Sequence, residues 1–125
     1  MPSASMESAA TTVEVEGFTG RYAELGGYTV GWESYTRDQD PAPLFRGLPD
    51  DRCQCPHWGV VTAGRVVFRY AEREETYSAG QAYHAEPGHL PLLFDGTSLI
   101  EFSPTGELGR TMAVIQANLA RLTGA

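Results

Sequence analysis

The sequence has no apolar run that approaches the roughly 20 residues a helix needs to span a bilayer. Its first residues, Met1 to Met6, carry no basic group and no apolar core, so they do not read as a secretory leader. The compartment expected without a leader is the cytoplasm, where thiols stay reduced. Positive charge is also short: 9 Lys and Arg stand against 16 Asp and Glu, a net charge of −7. A field of that sign repels phosphate backbones and anionic lipid headgroups, which excludes nucleic acid and membrane surfaces as partners. Cysteine is reduced to two residues, Cys53 and Cys55, and histidine to three, His57, His84 and His89. The spacing of the cysteines makes a mutual disulfide awkward, so they are either free thiols or metal ligands.

What is present describes one small domain. The chain has 125 residues with 42% hydrophobic side chains, enough to build a core and to exclude global disorder. Its 14 glycines and 8 prolines favour short strands joined by turns. Residues 1–14 are rich in Ser, Ala and Thr and read as a flexible lead-in. Residues 15–104 read as the β domain. Gly26-Gly27 is a tight turn inside the first strand pair, and residues 36–51 form a long polar loop pinned by Leu44 and Phe45. Val66, Phe68 and Tyr70 alternate onto one face, with a charged hairpin tip after them. Residues 92–94 and 99–102, joined by Asp95-Gly96, read as a further hairpin. Residues 105–123 read as a helix started at Thr105 and ended by Gly124. Its stripe of Leu108, Met112, Ile115, Leu119 and Leu122 is expected to pack on the domain's own sheet. Short antiparallel strands plus one C-terminal helix predict an all-β fold, a small antiparallel β-barrel or jelly roll.

The densest chemistry lies in Cys53-Gln54-Cys55-Pro56-His57. In an extended chain residues 53, 55 and 57 share a face, and two thiolates with an imidazole suit a borderline cation such as Zn²⁺. His84 and His89 flank the Pro87-Gly88 turn, and either completes the set. The competing account is two small buried thiols and a satisfied histidine. A third treats Cys53 and Cys55 as a redox pair with lowered pKa values. Glu101 lies in an apolar strand, and if it faces the interior its raised pKa suits it to proton transfer; otherwise it belongs to ordinary strand alternation. Tyr83 is a second proton-transfer candidate, although aromatics in so small a domain are ordinarily core.

The stretch from Asp51 to Ser103 resembles the cupin family. Gly64 stands at the closing glycine of that family's first motif, with His57 at the place of its glutamate ligand. Cys53 and Asp51 stand at the places of its two histidines. Gly80 to Pro91 resembles the second motif, with Pro91 at the place of the histidine and His89 two residues before it. The resemblance implies a barrel with a central site and a homodimer. It also implies a metal-dependent enzyme of isomerase, cyclase or oxygenase type acting on a small organic molecule, or a non-catalytic sensor of a small molecule or metal. The proposed ligands are Cys53, Cys55, His57 and His89. Thiolate donors favour Zn²⁺, with iron the alternative.

Overall fold

The computed structural model describes residues 3–123 and is a double sheet with one helix. Strand β1 (Thr11–Val15) pairs with β2 (Phe18–Leu25), and β2 with β3 (Tyr28–Tyr35). The β2–β3 loop is only Gly26 and Gly27, at φ of 56° and 86°. Such a two-residue turn needs positive φ at both positions, and glycine adopts it without a Cβ clash. Strands β4 (His57–Ala63), β5 (Arg65–Arg69), β6 (Glu74–Ser78), β7 (Ala82–Ala85), β8 (Leu90–Leu93) and β9 (Ser98–Pro104) follow. The six-stranded sheet runs β1-β2-β3-β9-β4-β7 and the three-stranded sheet β6-β5-β8, with every pairing antiparallel. The sheets meet through alternate residues of their inner faces, among them Tyr35, Val61, Val66, Phe68, Tyr83 and Leu99.

Three features differ from the sequence reading. The segment before residue 15 contributes an edge strand from Thr11 onward. Its β-branched Thr-Thr-Val-Glu-Val run pairs along β2 while staying exposed. Asp95-Gly96 does not close a hairpin. β8 pairs with β5, β9 pairs with β3 and β4, and the turn carries the chain between the sheets. Tyr35 holds that crossing, accepting from Gly96 N and donating to Thr97 O, each at 2.9 Å. Here the pairing of Leu93 with Val66 inside the three-stranded sheet overrides the local turn preference.

The third difference concerns helix α1 (Thr105–Thr123), which packs chiefly on the loop turn Ala42–Phe45 rather than on the sheet. Its buried residues are Thr111 and Asn118. Leu108 and Ile115 join a second apolar cluster around Phe45, while Leu119 and Leu122 face solvent. Asn118 sets that rotation, because its Nδ2 donates to the carbonyls of Leu44 and Arg46 at 2.8 Å each. Gly124 lies outside the described residues. Among the described residues no helix is long and apolar enough to cross a membrane. Replacing Asn118 with Ala leaves both carbonyls unpaired at the helix–loop junction and is expected to cost about 1–3 kcal/mol. Urea unfolding checks this, and an unchanged midpoint contradicts it.

Candidate metal centre

Cys53 belongs to neither sheet. It forms an isolated antiparallel bridge with His89: Cys53 N donates to His89 O at 2.9 Å, and Gly88 N donates to Cys53 O at 2.7 Å. The Pro87-Gly88 turn feeds His89 into that bridge, and Pro91 follows in β8, an edge strand where a missing N–H is tolerated. His57 opens β4 opposite Ala85. Thus a bridge and a strand start carry three soft donors to one point. The Cys53 Sγ and one ring nitrogen each of His57 and His89 lie within 4.8 Å of one another, all on buried residues. The Cys53 Sγ to His57 Nε2 distance is 3.6 Å. Sulfur and nitrogen ligands on tetrahedral zinc stand about 3.6 Å apart, given metal bonds of about 2.3 and 2.05 Å. The donor set therefore fits a zinc-like ion.

The second ring nitrogens fix how the histidines are presented. His89 Nδ1 lies 2.6 Å from the Glu86 carbonyl, which only accepts, so the proton sits on Nδ1 and Nε2 keeps its lone pair. His57 Nδ1 lies 2.7 Å from Ser103 Oγ and 3.2 Å from Glu101 Oε1, which turns Nε2 toward Cys53. Burial lowers the His57 pKa to about 4. Burial, then the neighbouring His57, lowers that of His89 to about 4 as well. Both imidazoles are neutral at physiological pH, the form that binds metal.

Burial pushes the Cys53 thiol up to about 11 and that of Cys55 up to about 12. This direction is opposite to the lowered values that a reactive redox pair has. Cys55 lies outside the group of three. Segment 54–56 is not strand, the Cys53 thiol points to the Cys55 carbonyl at 3.7 Å, and Cys55 is buried beside Phe45 with its thiol toward Pro56 O at 3.5 Å. Strand alternation turns His84 to the outer face, where it stacks on Trp58 at 4.7 Å. Asp51 lies on a turn, accepting from Gly47 N at 3.0 Å.

Glu101 and Tyr83 both face the interior, and Tyr83 Oη donates to Glu101 Oε2. Burial, partly offset by that bond, raises the Glu101 carboxyl to about 7. Across the sheet the register aligns Tyr22, Gly31, Glu101, Gly59 and Tyr83 in one row. The two glycines are shelves for the tyrosine rings. A Cβ at Gly59 would fall 2.6 Å from Tyr83 Cζ, and one at Gly31 2.7 Å from Tyr22 Cε1. Tyr22 Oη donates to Glu33, a second interior carboxyl that burial and then Glu101 raise to about 7. A cavity of about 20 Å³ beside Glu33, Glu101 and Ser103 has room for one water. Glu33, Ser103 and Tyr22 were not singled out from sequence. Their signal was parity: Gly31, Glu33 and Tyr35 alternate on β3 as Leu99, Glu101 and Ser103 do on β9.

No protein-family model matches this sequence, and no curated protein is similar to it. Solved structures are. A protein of unknown function from Rhizobium leguminosarum bv. viciae 3841 is 14% identical, covering 82% of this chain and 95% of its own, with a TM-score of 0.59. A putative ethanolamine utilization protein Q (EutQ) from Salmonella typhimurium LT2 is 8% identical, covering 74% of this chain and 78% of its own, with a TM-score of 0.53. The apo form of HppE is 10% identical, covering 74% of this chain and 52% of its own, with a TM-score of 0.52. This is the cupin fold. Relative to the cupin motifs, Cys53, His57 and His89 converge here, whereas Asp51 and Pro91 stay outside the group.

The interior charges predict a pH response of the metal-free protein. His57 and His89, lowered from 6.5 to about 4, stabilise the fold above pH 6.5, and that contribution is lost as pH falls through 4. Glu33 and Glu101, raised from 4.5 to about 7, act oppositely: their contribution is present below pH 4.5 and lost as pH rises through 7. Glu33→Gln removes one opposing group. Its stability should fall more steeply than wild type between pH 7 and pH 5, by up to about 1.4 kcal/mol per pH unit. Parallel urea-unfolding profiles for the two proteins would contradict this.

Proposed function

We propose that this cupin-fold protein is a metal-dependent enzyme acting on a small organic molecule, by isomerase, cyclase or oxygenase chemistry. One observation carries the reading: two histidine nitrogens and the Cys53 thiol converge, with a carboxyl of raised pKa bonded behind one of the ligands. Cys53, His57 and His89 hold the ion, with zinc the favoured metal and iron the alternative. When bound, the ion supplies Lewis acidity and an activated water. Three protein donors are the number that catalytic zinc sites use. Glu101, near pH 7 in its titration, holds or releases a proton at its carboxyl oxygens, and Tyr83 orients it by donating to Oε2. Ser103 keeps His57 in the ligating orientation.

A second reading, a non-catalytic metal or small-molecule sensor, is favoured by the size of the cavity beside Glu101. About 20 Å³ admits a water but no organic molecule. The chain is further proposed to work in the cytoplasm as a homodimer. Support for the dimer comes from Tyr28, Trp58 and Phe102, which are exposed on the outer face of the six-stranded sheet.

Cobalt substitution tests these readings together. The purified protein should take up about one Co²⁺ per chain, with a thiolate charge-transfer band that Cys53→Ser abolishes and Cys55→Ser leaves intact. Added azide should shift the ligand-field bands if the centre is open to exogenous ligands, as the enzyme requires. Unshifted bands favour the sensor, and absence of the thiolate band contradicts the metal centre. The loaded protein should sediment as two chains, and a monomer at all concentrations removes the dimer.

A further inference from the structure

A second concave site adjoins the Cys53–His89 bridge through Arg52 and Gly88. The turn Asp50–Arg52 and the hairpin tip Tyr70–Arg73, together with Pro87 and Gly88, line an open groove of about 640 Å³. That volume lies within the range of about 300–1,000 Å³ typical of small-molecule sites. Its walls are pinned. Gly88 N donates to Cys53 O at 2.7 Å, Tyr70 N to Arg73 O at 2.8 Å, and Glu86 N to Tyr70 Oη at 2.9 Å. Asp50 and Asp51 hold left-handed φ values of 57° and 55°, a conformation costly for residues other than glycine. The turn is kept there by Asp51 N and Arg52 N, which donate to Leu48 O at 2.8 Å and Pro49 O at 3.1 Å.

The two arginines of the groove are unequal. Arg73 is satisfied: it stacks on the Tyr70 ring at 4.0 Å and donates to Glu75 at 3.0 Å and Glu86 at 3.4 Å. Arg52 is not. Its Nη1 is the one buried side-chain nitrogen or oxygen among the described residues without a hydrogen-bond partner, and no carboxylate there pairs with it. A buried, unpaired guanidinium N–H is costly, and its planar fork is shaped for a carboxylate.

We infer that this groove binds a small monocarboxylate, with Arg52 as the anchor. Asp50, Asp51 and Glu72 also line it. They repel any anion, a multiply charged phosphate more strongly than a monocarboxylate, and they accept hydrogen bonds from hydroxyl or amino groups on the same ligand. The class is therefore a hydroxy or amino carboxylate with one net anionic group at the Arg52 end. Arg52 and Gly88 directly precede Cys53 and His89, so the groove opens beside the proposed metal ligands, yet the inference requires no metal.

The test follows the Arg52 Nε–H and the Arg52 and Gly88 amides by ¹⁵N NMR. Glycolate is titrated into metal-free protein, with inorganic phosphate as the competing probe. Glycolate should shift these resonances saturably in the wild type, a measurement that needs no variant to fold. Arg52→Gln should weaken binding about tenfold or more, and Arg52→Lys should also weaken it because the fork is lost. An absent or unsaturable shift, equal affinity in Arg52→Gln, or tighter binding of phosphate would overturn the inference. Metal content is read separately by elemental analysis, so failure of the metal centre and failure of this groove are distinguishable.

Discussion

The site depends on the backbone pairing of Cys53 with His89. Neither residue belongs to the six-stranded or the three-stranded sheet, and backbone hydrogen bonds from Cys53 N to His89 O and from Gly88 N and His89 N to Cys53 O fix one segment against the other. It places a thiol and an imidazole side by side at the start of β4, where His57 supplies the second ring. The pairing joins residues distant in sequence, and the Pro87-Gly88 turn directs the chain toward Cys53. Without it the long loop, residues 36–51, would hold Cys53 only through the apolar cluster around Phe45.

Behind the ligands the domain departs from an ordinary apolar core. A small double sheet has little interior to spare, yet it encloses Glu33, Glu101, Tyr22 and Tyr83. Two features make that tolerable. The glycine shelves at Gly31 and Gly59 let the tyrosine rings lie flat over the sheet, so each hydroxyl reaches a carboxyl. The carboxyls meet burial by holding their protons to near neutral pH rather than by carrying charge. Imidazoles kept neutral and carboxyls kept protonated are two responses to the same low-polarity interior. Together they give a centre whose two imidazoles are in ligating form, whose Cys53 thiol gives up its proton when a metal binds, and behind which a carboxyl that holds a proton lies against His57.

Much of this was legible in the residues. Strand alternation, the Gly26-Gly27 turn and the helical spacing after Thr105 correspond to elements of the fold, because each is a local signal. Asp95-Gly96 misled because the same local signal serves a hairpin or a crossing, and only the pairing of Leu93 with Val66 decides between them. The helix stripe was displaced because one polar residue, Asn118, finds two loop carbonyls that no periodicity reveals. The soft donors were visible as a cluster between residues 53 and 57. Extending the chain to place Cys55 among them ignored the break before β4. The choice between His84 and His89 follows from alternation, since His84 shares a face with Trp58. Ser103 and Glu33 required the register across β3, β9 and β4, which no single strand contains.

The groove at Arg52 and the centre at Cys53 share a backbone, so the sites stand as neighbours across one bridge. Their chemistry differs: one offers an unpaired cation to an anion, the other soft donors to a metal. The central claim is the make-up of that donor set, and X-ray absorption at the metal edge of the zinc-loaded protein tests it most directly. One sulfur at about 2.3 Å with the remaining ligands nitrogen or oxygen at about 2.0–2.1 Å is the predicted shell. A shell with two sulfurs, bringing in Cys55, or with none would contradict it.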